Sequence, residues 1–489
     1  MGTTIVSYAF AREFGVFDTG ESKGSRQVFF REGGDLDALG ELQRQTRLPL
    51  ELHILSADDY QERLARIFND GGVRAASMVD DISEIADLSN LLEEMPQLED
   101  LLETEENAPV IRLINALLAE ALREGASDLH FELFESRSTV RFRIDGQLRD
   151  VIEPRRGLHS ALVSRIKIMA GLDIAEKRLP QDGRIALRIA GRPVDVRVST
   201  LPTGHGERVV LRLLDKSAGR LELEKLGMRP ETLKSLQHLL QQPHGILLVT
   251  GPTGSGKTTT LYAALSRMDS TKTNIMTGED PIEYDLDGIG QTQTNARIDM
   301  NFARALRAIL RQDPDVIMIG EIRDQETAQI AVQASLTGHL VLATLHTNDA
   351  PSAITRLVDM GIEPFLLASS TIGVLAQRLA RTVCPHCRIA YAADAGELEL
   401  LGLDQPMTLY RAAGCSECNQ TGYRGRIGLY ELLIVDEDLR SLVHQGGNEQ
   451  LIRAQGVKNG MVLLREDGIA RVLAGDTTLD EILRVTRDA

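Results

Sequence analysis

The segment GPTGSGKT at residues 251–258 has the residue types and the spacing of a loop that binds phosphate groups. Its glycines let the backbone curl so that successive N–H groups point inward, and the N-terminus of a following helix adds positive potential. An apolar run precedes the loop and a helical pattern follows it, which is the context that the motif requires. We expect Lys257 to reach the β- and γ-phosphates of a nucleotide and Thr258 to ligate Mg²⁺. The predicted ATP-binding residues are Gly251, Pro252, Thr253, Gly254, Ser255, Gly256, Lys257 and Thr258.

A second candidate lies at the end of the apolar strand at 315–319, where Gly320 and Glu321 follow. We expect Glu321 to polarise the water that attacks the γ-phosphate. Strands of this kind usually end in an aspartate that helps to hold the metal, and Gly320 occupies that position here. We therefore expect Mg²⁺ to depend more on Thr258, on phosphate oxygens and on water.

Two further groups of polar residues adjoin apolar strands. Glu279, Asp280 and Glu283 follow a short apolar segment, and at a strand end they would either orient the water shell of the metal or form a charged turn. His339 and His346 flank another apolar strand. Because no third metal ligand is near them in sequence, a sensor of the γ-phosphate is favoured over a metal site.

All four cysteines occur as two Cys-x-x-Cys pairs, Cys384 with Cys387 and Cys415 with Cys418. Four thiolates suit tetrahedral Zn²⁺, whereas disulfides are disfavoured in a reducing compartment and iron–sulfur clusters usually have less regular spacing. The 27 residues between the pairs exceed the usual spacing, so a loop must project between them. We expect a structural zinc site, because four protein ligands leave no position open for water.

The apolar pattern predicts the domains that would position these groups. A chain of 489 residues is too long for a single core. Short buried strands alternate with helices in the second half, which is typical of a mostly parallel sheet covered on both faces. Before it, one helical pattern and alternating strands, with a turn at Asp145-Gly146, indicate another α/β domain. The predicted divisions are an N-terminal domain 1–79, an acidic linker 80–108, a second α/β domain 109–222, the main domain 223–381, a cysteine subdomain 382–430 and a helical region 431–489.

The net charge of −17 is concentrated at one end, because residues 1–108 carry 23 acidic side chains against 9 basic ones. This charge argues against nonspecific binding to nucleic acid or anionic lipid. The linker also has an amphipathic helical pattern, which fits a solvated tether or a helix that docks on a partner. No apolar run approaches the roughly 18 residues that cross a bilayer, so we expect a cytoplasmic protein unless a partner holds it elsewhere.

Taken together, these motifs resemble the type II/type IV secretion ATPases, and the likeness extends over residues 110–489. The segments that carry the resemblance are the phosphate loop, SDLHFE (127–132), RLPQDGRI (178–185), DVRVST (195–200), VVLRLL (209–214), TGEDPIE (277–283), IGEIRD (319–324) and GHLVLATLHTN (338–348).

The resemblance implies a RecA-like P-loop ATPase domain in a homo-hexameric motor, with ATP bound between that domain and the preceding α/β domain. In such proteins, arginines of the DVRVST and VVLRLL segments reach the γ-phosphate, which carries over to Arg197 and Arg212, with Arg208 as a rival. Guanidinium donors on a mobile domain would couple hydrolysis to movement.

The resemblance also implies a cellular function. The type II secretion branch drives assembly of a pseudopilus and export of folded proteins, and we expect residues 1–108 to dock on the cytoplasmic domain of an inner-membrane secretion protein, beside an inner-membrane platform protein. An ATPase that extends type IV pili is the nearest alternative. A DNA-translocating motor and a nucleotide-gated scaffold with little turnover are the others, although the acidic charge and the scarcity of aromatic residues disfavour nucleic acid as a partner.

Overall fold

The computed structural model separates into two units, residues 1–217 and 218–489. The acidic linker predicted at 80–108 lies outside the described residues except for its last position. The structure describes residues 11, 14–22, 25–46, 49–56, 59–60, 63, 108–189, 192–215, 222–295 and 298–487.

The N-terminal part of the first unit is a small three-stranded sheet with a helix. Strand β2 pairs with β1 antiparallel and with β3 parallel. Alternation along the strands places Phe17 and Phe29 with Tyr60 in one cluster, and Val28 with Leu42 in another. The predicted N-terminal domain is therefore present, and it has a mixed α/β fold. Its elements are β1 (Val16–Ser22), β2 (Ser25–Arg31), α1 (Leu36–Thr46) and β3 (Leu50–Leu55).

The rest of the first unit is a six-stranded antiparallel sheet of order β6-β5-β4-β9-β8-β7. One face of this sheet packs its apolar side chains against two helices. Asp145 and Gly146 both have positive φ, 47° and 84°, and form the tight turn that the sequence predicted between β5 and β6. The elements are α2 (Ala108–Arg123), β4 (Ala126–Leu133), β5 (Ser138–Ile144), β6 (Gln147–Ile152), α3 (Leu158–Met169), β7 (Gln181–Ile189), β8 (Arg192–Thr203) and β9 (Gly206–Asp215).

The second unit is built on a seven-stranded sheet of order β12-β11-β13-β14-β10-β15-β18, in which only β18 is antiparallel to its neighbour. Apolar clusters cover its two faces, as expected for buried parallel strands. This arrangement confirms the predicted mostly parallel sheet covered on both faces. Its first elements are α4 (Pro230–Leu239), β10 (Gly245–Thr250), α5 (Lys257–Ser266), β11 (Ile275–Glu279), β12 (Gly290–Gln293), α6 (Phe302–Ile309), β13 (Val316–Ile319), α7 (Gln325–Leu336), β14 (Leu340–Leu345), α8 (Ala350–Asp359), α9 (Pro364–Ser370) and β15 (Thr371–Val383).

The cysteine segment lies between β15 and β18, and the C-terminal helices follow it. Strand β18 belongs to the main sheet, so the predicted C-terminal region begins inside a strand. Within the described residues, no helix combines the length and the apolar character that crossing a membrane requires. The remaining elements are β16 (Ile389–Ala392), α10 (Ala395–Leu401), β17 (Thr408–Arg411), β18 (Tyr423–Ile434), α11 (Glu437–His444), α12 (Glu449–Lys458), α13 (Leu464–Ala474) and α14 (Leu479–Val485).

Candidate active site and metal centre

The phosphate loop connects β10, which lies between β14 and β15 in the sheet, to the N-terminus of α5. Gly251, Gly254 and Gly256 all have positive φ, at 145°, 80° and 87°, a backbone that other residues rarely adopt. Ser255 is buried and Thr258 is partly exposed. The loop therefore has the curled backbone and the helix N-terminus that a phosphate site needs.

Lys257 is the first residue of α5, and its side chain turns back over the loop. Its Nζ donates to the carbonyl oxygens of Gly251 at 2.8 Å and of Pro252 at 3.0 Å. The residue is 8% exposed, and this burial lowers the pKa of its ammonium to about 8, against an opposing effect of Glu321. A phosphate group would supply the negative charge that this buried cation lacks.

Glu321 follows the carboxyl end of β13 and lies between a guanidinium and an imidazole. One carboxylate oxygen pairs with Arg323, and the other lies 3.4 Å from Nε2 of His346. Burial lowers the pKa of His346, and the positive charge of Lys257 lowers it further. Three predicted residues, Lys257, Glu321 and His346, thus come together at the carboxyl ends of neighbouring strands, where ligands bind in folds of this type.

The predicted acidic group separates into residues with different surroundings. Glu279 is the last residue of β11 and is only 2% exposed. It accepts hydrogen bonds from Tyr262, from Thr277 at 2.6 Å and from Gln291 at 3.0 Å. Asp280, the next residue, is exposed, and Glu283 is partly exposed. Glu279 therefore lies in a buried hydrogen-bond network, and Asp280 is the member with most access to solvent.

A side chain at Gly320 would be tightly surrounded. An ideal Cβ there would lie 3.3 Å from the carbonyl oxygen of Gly278 and 3.4 Å from both the Cα of Glu279 and the ring of Phe302. The Thr344 hydroxyl donates to the Gly320 carbonyl at 2.5 Å. A side chain at position 320, where an aspartate is usual, would therefore need β11 or α6 to shift by a few tenths of an ångström, and glycine avoids this shift.

His339 lies away from this site. It precedes β14, whose first residue pairs with the first residue of β10, whereas the phosphate loop follows the last residue of β10. Its Nδ1 lies 2.8 Å from the carbonyl oxygen of Ala334, near the end of α7. The structure brings His346 to the phosphate loop and does not bring His339 there.

The arginines of the first unit lie on the polar face of its six-stranded sheet. Arg212 and Arg197 are register partners on β9 and β8. The Nε of Arg212 donates to Asp128 at 2.8 Å, while Arg208 pairs with Glu132 at 2.6 Å. The strand register thus places the two predicted arginines side by side, and the rival Arg208 lies further along β9.

Other residues at the site were not singled out from the sequence, although two of them lie inside motifs that carry the family resemblance. Thr347 hydrogen-bonds the Thr250 hydroxyl through both its N–H, at 2.9 Å, and its own hydroxyl, at 2.7 Å, and so links β14 to the start of the loop. Arg323 lies in the IGEIRD segment, two residues after Glu321, and pairs with its carboxylate. Gln377 lies on β15 and accepts a hydrogen bond from the hydroxyl of Thr260, in the helix that follows the loop. It is more than a hundred residues away from the loop in the sequence, and no local sequence pattern identified it.

The four cysteines form one cluster. Their sulfur atoms all lie within 4.8 Å of one another, with 3.9 Å between Cys384 and Cys415 and 3.7 Å both between Cys387 and Cys418 and between Cys415 and Cys418. Tetrahedral zinc with bonds of about 2.3 Å requires sulfurs about 3.8 Å apart. Backbone N–H groups also donate to two of the sulfurs, at 3.2–3.3 Å. The donor set therefore fits a four-coordinate zinc ion.

Comparison with known proteins gives consistent matches over nearly the whole chain. A family model described as Type II/IV secretion system protein matches residues 103–484, and a model of an N-terminal domain of GSPII protein E matches residues 6–68. The type II secretion system protein HxcR of Pseudomonas aeruginosa is 64% identical over 446 residues, 91% of this chain and 92% of the relative. The type II secretion system ATPase E of Vibrio cholerae is 54% identical over 486 residues, 99% of this chain and 96% of the relative. The crystal structure of the pilus retraction motor PilT with bound ADP is similar with a TM-score of 0.53 and 26% identity, over 77% of this chain and 97% of that one.

Proposed function

The chain belongs to the type II/IV secretion system protein family, and from this premise we propose that it is the ATPase that powers a type II secretion system. The observation that carries the proposal is the meeting of Lys257, Glu321 and His346 at the carboxyl ends of β10, β13 and β14. Relatives named as type II secretion proteins match more than nine tenths of the chain, and they support the assignment to type II secretion.

The residues at this site divide the work of hydrolysis. Lys257 binds the β- and γ-phosphates, and backbone N–H groups of the loop hold them in place. Glu321 takes the proton of the attacking water, and Arg323 and His346 orient its two oxygens. A neutral His346 has one N–H, which can donate either to Glu321 or to the γ-phosphate, and a change from the first acceptor to the second would make it a sensor.

The oxygen donors present suit Mg²⁺, which would neutralise charge on the phosphates. Thr258 is partly exposed and follows Lys257, whose charge interacts with that of Glu321. Gly320 contributes no ligand, so protein coordination rests on the Thr258 hydroxyl, with phosphate oxygens and water completing the shell.

We assign Arg197 and Arg212 to the γ-phosphate. Their shared row on the polar sheet face supports this assignment, because two guanidinium groups side by side can bind one phosphoryl group. In a homo-hexamer, engagement of these arginines by ATP would move the first unit and convert hydrolysis into mechanical work that assembles a pseudopilus.

The cysteine cluster has a structural role in this proposal. Zn²⁺ would be held by Cys384, Cys387, Cys415 and Cys418, with no position left for a catalytic water. The metal would hold the base of the segment that joins β15 to β18 and keep these two strands paired beside the ATPase site.

Recruitment is assigned to the N-terminal domain. The match of residues 6–68 to a domain of GSPII protein E supports docking on the cytoplasmic domain of an inner-membrane secretion protein, which would place the ATPase on the cytoplasmic side beside a platform protein. The charge of residues 1–108 predicts that the docking surface of the partner is basic.

Two experiments test the proposal. Phosphate release is measured for the wild type and for Lys257→Ala and Glu321→Ala, and equal rates in all three would rule out an ATPase at this site. Deletion of the gene in the source organism should trap exoproteins in the periplasm. Complementation of the deletion with either variant should leave them trapped there. Loss of surface pili with normal secretion would instead identify a pilus-extension ATPase, and ATPase stimulation by DNA would identify a translocating motor.

A further inference from the structure

Gln377 is a buried polar residue directly under the phosphate loop. It lies on β15, one residue beyond Ala376, which pairs with Thr250 at the end of β10. Gln377 is therefore level with Gly251, the first residue of the loop, and it is only 2% exposed. A buried amide of this kind needs hydrogen-bond partners, and its surroundings identify them.

The side chain and main chain of Gln377 contact the loop at both ends. Its Oε1 accepts a hydrogen bond of 2.7 Å from the hydroxyl of Thr260, in the first turn of α5. Its Nε2 would lie 2.9 Å from a Cβ placed on Gly256, and its carbonyl oxygen would overlap a Cβ placed on Gly251. One residue thus touches the beginning of the loop, its end and the helix that follows.

Gly254 provides a comparison within the same loop. It also has positive φ, but a Cβ built on it would meet nothing within 4 Å. Glycine is required there for the backbone alone. At Gly251 and Gly256 the missing side chain also leaves the space that Gln377 fills, so the loop and Gln377 fit each other as a packed pair.

We propose that Gln377 is a positioning residue of the ATPase site, which holds the phosphate loop in its binding shape through Gly251, Gly256 and Thr260. This inference rests on the proposed function, since it assumes that nucleotide phosphates bind at the loop. Gln377 does not touch the phosphates itself. It supports the backbone whose N–H groups bind them, and β15 holds it in place.

The proposal predicts weaker binding of phosphate groups when the amide is removed. Gln377→Met retains the length and bulk of the side chain but removes both amide groups, so the hydroxyl of Thr260 loses its amide acceptor and keeps only its interaction with Tyr430. We expect the dissociation constant of ADP and the KM for ATP to rise about tenfold, which corresponds to the free energy of one lost buried hydrogen bond.

The test uses the full chain and two further variants. Thr260→Val removes the same hydrogen bond and also the interaction of this hydroxyl with Tyr430. We expect the double variant with Gln377→Met to be little worse than Thr260→Val alone, because Thr260→Val has already removed the bond that Gln377→Met would break. Thr371→Val is the matched control, since Thr371 is equally buried on the same strand but pairs with Ile246 at the opposite end of β10. Its ADP affinity should equal that of the wild type.

Binding of ADP and competition by inorganic pyrophosphate are measured for each variant, together with melting temperature. The proposal is supported if the constants for ADP and pyrophosphate rise by the same factor in Gln377→Met, because the loss then lies at the phosphates. An unchanged ADP constant with a lower melting temperature would overturn it, and so would a raised ADP constant with an unchanged pyrophosphate constant. If wild type binds no nucleotide, or if Lys257→Ala binds ADP as well as wild type, the proposed function fails instead.

Discussion

The protonation of Lys257 makes a quantitative prediction about nucleotide affinity. In the nucleotide-free protein its Nζ is held between two carbonyl oxygens, and burial lowers its pKa to about 8. Bound phosphates favour the charged ammonium, so the complex keeps the proton over a range of pH in which the free protein loses it. Binding must then take up a proton above about pH 8, and nucleotide affinity must fall as pH rises.

The magnitude follows from one titrating proton. With a pKa of about 8 in the free protein, the dissociation constant of ADP should rise about twofold between pH 7 and pH 8 and about tenfold between pH 7 and pH 9, or about 1.4 kcal/mol. The ordinary lysine pKa of about 10.4 would leave the constant almost unchanged over the same interval. The two cases differ by far more than the error of a binding measurement.

Titration calorimetry of ADP binding at several pH values, in buffers of different ionisation enthalpy, measures both the affinity and the proton uptake. Lys257→Arg is the matched control, because its guanidinium stays charged while Glu321, His346 and the cysteines are the same. We expect a steep pH dependence in the wild type and a shallow one in the variant. Parallel curves, or a wild-type affinity that is constant from pH 7 to pH 9, would refute the assignment of a depressed pKa to Lys257.

Three other predictions concern separate parts of the second unit. Glu321→Gln should lower kcat by about 10² to 10⁴ while ADP affinity changes little, and phosphate-release kinetics with a near-normal kcat would contradict its role as a base. Glu431 is buried and accepts the N–H groups of Ala350 and Leu464, the first residues of α8 and α13. Glu431→Gln replaces one acceptor by a donor, so it should destabilise this unit by about 1–3 kcal/mol, seen by calorimetry as a lower melting temperature, and an unchanged transition would count against it. Cys387→Ser should reduce bound zinc from about one ion per chain, measured by elemental analysis, and full metal content would show that the thiolate is not a ligand.

The parts of the site that sequence reasoning found share one property, which is that their signals are local. The phosphate loop is contiguous, so its residue types, the strand before it and the helix after it can be recognised together. The two cysteine pairs are also local, and their clustering follows once each pair forms a metal-binding turn. The turn at Asp145-Gly146 was predictable for the same reason, because its backbone depends on two neighbouring residues.

The parts that were missed depend on contacts between distant segments. Gln377 supports the loop only because β15 lies next to β10, and a lone glutamine in an apolar strand carries no mark of that contact. His339 and His346 look equivalent in sequence, since each flanks β14. Only the parallel pairing of β14 with β10 distinguishes the end that meets the loop from the end that does not.

Burial separates two carboxylates that the sequence presented alike. Glu279 and Glu321 each come at the end of an apolar strand, and β11 and β13 are neighbours in the sheet. Glu279 is saturated by donors from Tyr262, Thr277 and Gln291 and is closed to solvent, so moving it to water or metal would break a buried network. Glu321 is paired with Arg323 and lies beside His346 and Lys257, and its side chain remains 15% exposed. A base must reach a water molecule and exchange its proton, and in this arrangement Glu321 meets both conditions.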